Sequence, residues 1–315
     1  MMAWLLICCL APAAAGQTEP ERLIEEGHWK RARGIVEPWI RAKPDEPLAN
    51  FLLSQIRAAF HDRESPLPLA EKAVQLDGHT AKYHRQLAEC LGVTAQYSGM
   101  LRQLFLARRF KKEIDTALTQ DPTDLQALRD AMEFYLLAPG IAGGDKEQAR
   151  AAAHRIERID MAAGYLAEAG LAEFQKEAGK IEESVRKAVE SEPGNYRARI
   201  ALANHYLSLH EYDLAEIQAR AGVKIAGGRV DAYAVLATAD AARGNRQELR
   251  ALLADSERAV PDDLTPYYRA AETLAAAHRD TGEAERLLRK YLDAEAEGNA
   301  PTAADARRLL AQLHH

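Results

Sequence analysis

A His-Arg-Asp tripeptide at residues 278–280 is the feature of this sequence that comes nearest to a catalytic motif. Protein kinases carry such a tripeptide in their catalytic loop, together with a glycine-rich strand turn and an Asp-Phe-Gly element. The sequence contains neither of these companions. We therefore interpret residues 278–280 as a turn between two helices, without a catalytic role.

The glycine-rich stretch Pro139–Gly144 invites comparison with a phosphate-binding loop. Such a loop continues as Gly-Lys-Ser or Gly-Lys-Thr and follows a buried strand. Here Lys146 is followed by Glu147, and the pattern before the loop is helical. The stretch is therefore predicted to be a structural turn, with Asp145 as the N-cap of a helix that begins at Lys146.

Two pairs of histidines, at positions 79 and 84 and at positions 205 and 210, have spacings unsuited to metal binding. The members of each pair are five residues apart. Metal-binding histidines on one helix are spaced so that both lie on the same face, as in His-Glu-x-x-His. The sequence therefore predicts no metal site, and we expect no cofactor and no enzymatic activity.

The composition favours a helical protein without a strongly basic surface. The chain has 315 residues, of which 28% are charged, 47% are hydrophobic and only 6% are aromatic. Such a composition excludes a disordered chain and a membrane bundle. The formal net charge of −6 argues against a general nucleic-acid binder or a general binder of anionic membranes.

The first fifteen residues have the pattern of a secretory signal peptide. The segment 1–15 is apolar, contains Pro12 and ends in Ala13-x-Ala15, which predicts cleavage before Gly16 or nearby. The absence of Lys or Arg before the apolar run departs from this pattern, and an uncleaved anchor or a buried helix are the alternatives. We expect a periplasmic or secreted protein, with no integral membrane span after removal of the signal.

Removal of this segment would leave Cys90 as the remaining cysteine, because Cys8 and Cys9 lie within it. A lone cysteine cannot form an intramolecular disulfide. Cys90 lies in an apolar helical stretch, which predicts a small core residue.

An internal repeat organises the rest of the chain. With Val230 as position 1, apolar residues fall at positions 4, 7 and 8, Gly244 at position 15 and Pro261 at position 32. With Tyr196 as position 1, Leu202 and Ala203 again fall at positions 7 and 8. Positions 4, 7, 8 and 11 form one apolar face of a helix, and the late proline ends a second helix. This pattern resembles the tetratricopeptide repeat, a helix–turn–helix unit of about 34 residues.

The resemblance extends over residues 16–315 as a single solenoid and implies an all-α fold, a right-handed superhelix of about eight helix pairs with a C-terminal capping helix at residues 302–315. The pairs are expected to start near residues 19, 47, 81, 125, 162, 196, 230 and 264. The fifth pair, which ends at Pro193, is expected to have a shortened second helix. Insertions near residues 92–101 and 138–144 break the period.

In proteins of this family the concave wall comes from the first helix of each pair, with groove positions 2, 5, 9, 12 and 13. Carried onto this sequence, these positions imply a partner-binding groove, in which the fifth repeat is aligned by Gly179. The implied residues are Gln55, Lys82, Arg85, Glu89, Gln126, Arg129, Glu133, Glu173, Lys176, Arg197, Asn204, Asp231 and Thr238.

The sequence thus predicts a non-catalytic scaffold that binds an extended or helical segment of a protein or peptide partner in a polar groove. One alternative is a solenoid that binds a small ligand or lipid through the insertion at residues 92–112. The other is a structural spacer or self-assembly element. The identity of the partner and the oligomeric state stay open.

Overall fold

The computed structural model describes residues 17–313, so the predicted signal segment lies outside the described residues. Seventeen α-helices and a short 3-10 helix, Gly140–Ala142, account for the regular structure of this range. In chain order, α1 to α17 are Glu19–Glu26, Trp29–Ala42, Pro47–Ala59, Pro66–Leu76, Ala81–Gln96, Met100–Gln120, Leu125–Leu137, Lys146–Ile159, Met161–Gln175, Ala178–Ser191, Tyr196–Ser208, Tyr212–Ile225, Val230–Arg243, Arg246–Ala259, Thr265–Ala276, Thr281–Leu292 and Ala303–Gln312.

These helices form eight antiparallel pairs, α1–α2 to α15–α16, followed by the capping helix α17, as the sequence predicts. The fifth pair differs from its prediction, because α10 has 14 residues and is not shortened. The insertion near residues 92–101 is largely helical, since it extends α5 and α6 to 16 and 21 residues. No helix within residues 17–313 is long and apolar enough to cross a membrane.

Acidic and amide side chains begin many of the helices. Asp145 accepts hydrogen bonds from the amides of Glu147 and Gln148, which confirms it as the N-cap of α8. Asp124 caps α7 in the same way, and Asn195 caps α11. Asp280 of the His-Arg-Asp tripeptide caps α16. The tripeptide is therefore a helix-connecting turn, and these side chains satisfy amides that a helix start would leave unpaired.

In six of the eight described pairs, the first helix ends at a residue whose backbone has the left-handed conformation, with positive φ. Gly27 and Gly244 occupy this position in the first and seventh pairs, as expected for a residue with positive φ. The other pairs use His61, Lys176, His210 and His278, with φ between 49° and 61°. In each of these turns the next amide donates to a carbonyl five residues earlier, for example Glu211 N to Tyr206 O at 2.9 Å. The turn geometry is thus kept without glycine.

In most pairs a small side chain at position 8 forms the seam between neighbouring helices, whereas the fourth pair has Met132 there. Ala88, Ala203, Ala237 and Ala271 are fully buried at this position, and so is Ser54 in the second pair. Leucines fill the space beside them, among them Leu236 and Leu253. Because the interior is close-packed, the volume at position 8 limits how closely helices approach.

The two ends of the solenoid contact each other. Both guanidinium Nη atoms of Arg33 on α2 bind the carboxylate of Glu295, at 2.9 and 2.7 Å. Asn299 N donates to Ala59 O at 2.8 Å, and Arg31 pairs with Asp262. The segment 293–302, between α16 and α17, therefore joins the last helix pair to the first two.

A buried carboxylate completes this end contact. Glu297 is 3% exposed, and its Oε1 accepts from Lys30 N at 2.8 Å, in the first turn of α2. His28, the N-cap residue of α2, provides no side-chain cap, so Glu297 takes this role from 267 residues away. Gly298 allows the approach, since a Cβ there would lie 2.5 Å from Trp29 Cγ.

Burial raises the pKa of Glu297 to about 7, and the charge of Asp263 adds to the effect. Hydrogen bonds from Lys30 N and Gly298 N and the charge of Lys30 oppose the rise. Its other oxygen, Oε2, is buried without a hydrogen-bond partner among the described residues. The end contact therefore contains a carboxyl group that is easier to bury when protonated.

Replacing Ala237 by leucine should overfill the seam. We expect Ala237→Leu to lower the free energy of unfolding by about 1–3 kcal/mol. Glu248→Ala, on the exposed face of α14, should change it by less than about 0.5 kcal/mol. Thermal and denaturant unfolding measure both. Equally mild effects would show that the register of the pairs is wrong.

Glu297 should make the stability of the protein depend on pH. Its folded-state pKa is raised, so its stabilising contribution is complete at low pH and is lost as the pH rises through about 7. We expect Glu297→Gln to gain about 1–3 kcal/mol of unfolding free energy relative to wild type between about pH 5 and about pH 8. Glu295→Gln, whose native carboxylate has a lowered pKa beside Arg33, is the control and should show no such gain in this range. A difference between Glu297→Gln and wild type that does not vary with pH would contradict the assignment.

Candidate functional site

The inner wall of the solenoid encloses a hollow of about 600 Å³ near the contact between the two ends. Residues of α11, α13 and α15 line one side, and α1 with the turn after it lines another. Segment 298–301 closes the hollow next to Trp29. The end contact therefore borders the concave groove on one side, and the hollow stays partly open to solvent.

Carboxylates outnumber cations on the lining of this hollow. Its acidic residues come from α1, α13, α15 and the turn before α15, and its cations are Arg229 and Arg269. Arg229 stacks on the ring of Tyr196 at 4.3 Å, and Arg269 pairs with Glu272 at 2.8 Å. The acidic residues are Glu25, Glu26, Asp231, Asp263 and Glu272.

A second charged cluster lies on the inner wall between α5 and α7. The exposed Glu89 interacts electrostatically with Arg85, Arg129 and Glu133. Its pKa is raised because protein surrounds it on the concave side, although its side chain still reaches solvent. Burial and the nearby charge of Glu89 also raise the pKa of Asp130 to about 7. The cluster thus holds carboxylates that bind protons more readily than usual.

Helix α1 faces this inner wall as well. Lys82 on α5 binds Glu21 on α1, with Nζ 2.5 Å from Oε1. Arg197 on α11 interacts with the charges of Arg129 and Glu25, and its pKa is lowered mainly by its protein surroundings. The acidic helix α1 therefore lies opposite cations from α5 and α11.

The structure brings most of the predicted groove residues onto this wall. Asn204, Asp231 and Thr238 line the hollow itself, and Asp231 Oδ2 accepts from Tyr196 Oη at 3.3 Å. Glu89, Arg129, Glu133, Glu173 and Arg197 are exposed on first helices, whereas Gln55 and Gln126 are half-buried.

Two predicted groove residues have structural roles that the sequence did not reveal. Arg85 is largely buried, and its Nε lies 3.5 Å from Asp124 Oδ2, at the N-cap of α7. Lys176 is the left-handed residue that ends α9, so the alignment by Gly179 is displaced by three residues. In the register that the structure adopts, the fifth repeat starts at Ala162 and Glu173 falls at position 12.

Several residues that line or close the hollow were not predicted from the sequence. Glu272 could have been predicted, because the repeat register places it at groove position 9 of the pair that starts at Leu264. Trp29, Glu297 and Gly298 carry no local signal, since their roles depend on a contact between the two ends of the chain.

Three side chains outside the hollow are close enough to share a metal ion. His154 and Glu157 on α8 and Glu168 on α9 place one ligand atom each within 4.8 Å of one another. His154 is exposed, and its Nδ1 lies 3.5 Å from Glu157 Oε2. Exposed acidic groups commonly lie near one another without a metal ion, so the expectation of no metal site stays a prediction.

Comparison with solved structures reveals a clear similarity of fold. The chain is similar to yeast Tom70, with a TM-score of 0.58 and 14% sequence identity over 95% of this chain and 64% of that chain. It therefore spans slightly less than two thirds of that structure. A tetratricopeptide repeat protein from Parabacteroides merdae is also similar, with a TM-score of 0.47 and 12% identity over 94% of this chain and 96% of the other.

No protein-family sequence model matches the chain, and no curated protein sequence matches it. At 14% sequence identity, the similarity between this chain and Tom70 is a similarity of fold alone. The eight helix pairs, the buried small residue at position 8 of most pairs and the similarity to Tom70 agree with one another. The chain therefore has the tetratricopeptide-repeat fold, a right-handed superhelix of helix pairs that ends in a capping helix.

Proposed function

We propose that this protein is a non-catalytic interaction scaffold that holds an extended or helical segment of a protein partner in its concave groove, of which the hollow is one part. The observation that supports this function is the row of polar side chains on successive first helices. Arg129, Glu173 and Arg197 are exposed on α7, α9 and α11, where they are not needed for packing. A row of modest contacts on successive repeats suits a peptide segment better than a compact ligand.

The charges along the wall suggest the polarity of that segment. The hollow near α13 and α15 has a surplus of carboxylates, of which Asp231 is exposed. The wall near α7 and α11 presents Arg129 and Arg197. We infer that the bound segment places cationic side chains near α13 and carboxylates near α7, because complementary charges set register and orientation.

The proposed location is the cell envelope or the exterior of the cell. Its support is the signal-like segment at residues 1–15, which is apolar and ends in Ala13-x-Ala15. The partner is therefore sought among envelope proteins.

A photo-cross-linking residue at Asn204 tests the groove directly. Asn204 lines the hollow and is exposed, so a reactive group there should capture a partner from an envelope extract and not from a cytoplasmic extract. The same group at Ile217, exposed on α12, should not capture that partner. Capture at both positions alike, or at neither, would contradict binding in the hollow and would favour a structural spacer.

The affinity for the captured partner gives a second readout. We expect Arg129→Ala with Arg197→Ala to weaken binding by about 1–3 kcal/mol, the range of hydrogen bonds to charged groups. Arg158→Ala with Arg155→Ala, on α8, is the matched control and should leave binding unchanged. Arg85 is unsuitable for this test, because its burial beside Asp124 would couple binding to folding.

A further inference from the structure

The tip of the α5–α6 hairpin exposes large apolar side chains to solvent. Met100 and Leu101 are 85% and 88% exposed, and Phe105 is 65% exposed. Tyr97, in the turn before α6, is 63% exposed, with the guanidinium of Arg63 4.2 Å from its ring centre. A contiguous apolar patch exposed on a protein surface indicates a binding function.

The apolar tip continues into a basic face on the same side of α6. Leu101, Phe105, Arg108 and Lys112 follow one another at intervals of four, three and four residues, which places them on one helical face. The opposite face packs into the core through Leu106, Ile114 and Ala117. The exposed face of α6 is therefore apolar at its start and cationic further along.

The charge of this region is opposite to that of the whole chain. Between Glu89 and Glu113 the sequence has five cations and no carboxylate, whereas the net charge of the chain is −6. Arg109 pairs with Glu71, and Lys111 pairs with Asp115. The remaining cations form no ion pair within residues 17–313; they are Arg102, Arg108 and Lys112.

We propose that the tip of the α5–α6 hairpin inserts into the surface of a lipid bilayer that contains anionic lipids. Leu101 and Phe105 enter the boundary between headgroups and acyl chains, a depth that interfacial helices reach. Arg108 lies seven residues from Leu101, or about 10 Å along the helix, which places it among the headgroups. Tyr97 and Arg63 provide an aromatic ring and a cation at the same interface.

Arg108 lies at one end of a shallow depression on α6, and this end is the one that faces the headgroups. The depression has a volume of about 470 Å³ and is lined by three cations, one carboxylate, the hydroxyls of Thr116 and Thr119 and the amide of Gln120. The cations are Arg108, Lys111 and Lys112, and the carboxylate is Asp115. Cations attract an anionic leaflet at short range, so a chain of negative net charge can still bind through this local patch.

A bilayer suits this surface better than a second protein does. The apolar part is a narrow helix tip, whereas stable protein interfaces bury about 1,200–2,000 Å² of well-packed surface. The cations lie behind the apolar tip along one helix, as headgroup contacts require. The sequence-based alternative placed a small-ligand or lipid site at residues 92–112, and the present proposal places a lipid-binding surface there. This surface is separate from the hollow that is proposed to bind a peptide.

Vesicles made of equal amounts of phosphatidylcholine and phosphatidylglycerol, with brominated acyl chains, test the insertion. A Leu101→Trp variant of the full chain should bind them, and its added tryptophan emission should be quenched and shifted to shorter wavelength. Ile217→Trp, at an exposed apolar position on α12, is the matched control and should be neither quenched nor shifted. Equal quenching of the two variants, or failure of the chain to bind these vesicles, would overturn the proposal.

The charge contribution has its own test. We expect Arg108→Gln to weaken binding to these vesicles about fivefold, which corresponds to about 1 kcal/mol for one cation near an anionic surface. Arg158→Gln, on α8, should leave the affinity unchanged, and vesicles of phosphatidylcholine alone should show no difference among the three proteins.

If Leu101→Ser instead converts a dimer in solution to a monomer without changing vesicle binding, the patch is a protein interface and the proposal is wrong. Peptide capture at Asn204 is unaffected by either result.

Discussion

The structure depends on the close packing of helices across a small side chain at position 8 of most pairs. Ala88, Ala203, Ala237 and Ala271 are fully buried there, so neighbouring helices can approach closely. A similar seam in these pairs produces a similar rotation between units, and a repeated rotation produces a superhelix. Larger residues at position 8 would change this rotation along the whole stack, since interiors near crystal density do not absorb added volume without strain.

Closure of the superhelix follows from this accumulated rotation and gives the inner wall its character. After eight pairs the segment 293–302 reaches α2, where Glu297 caps the helix start and Gly298 leaves room for Trp29. A carboxylate buried beside Asp263 is costly to ionise, and its raised pKa records that cost. The contact then borders a polar hollow that α1 lines together with α11, α13 and α15, so that packing, electrostatics and the proposed binding site are physically linked.

The sequence was sufficient to predict features that repeat locally and insufficient for those that arise from the whole stack. Helix pairs, the buried position 8 and the Asp145 cap follow from periodicity and capping chemistry, and the structure contains them. The left-handed turns at His61, Lys176 and His210 escaped notice because no glycine marks them, and Lys176 was therefore assigned to the groove. Arg85 contacts Asp124 of the next pair, and Glu297 contacts Lys30 at the other end of the chain. Because both partners lie outside the residue's own repeat, the pattern of a single repeat does not predict either contact.

Zero-length cross-linking of amines to carboxylates tests the central claim, which is that the two ends of the solenoid meet. Lys30 Nζ donates to the backbone oxygen of Glu295 at 2.8 Å, so its amine lies beside the Glu295 side chain. Mass spectrometry of the monomeric protein should identify a peptide that joins Lys30 to Glu295 or Glu297. The links of Lys82 to Glu21 and Lys290 to Glu257, at 2.5 and 2.7 Å, are internal positive controls within the same molecule. If these control links form and the link from Lys30 does not, the two ends of the solenoid do not meet and the account of a hollow bordered by their contact is wrong.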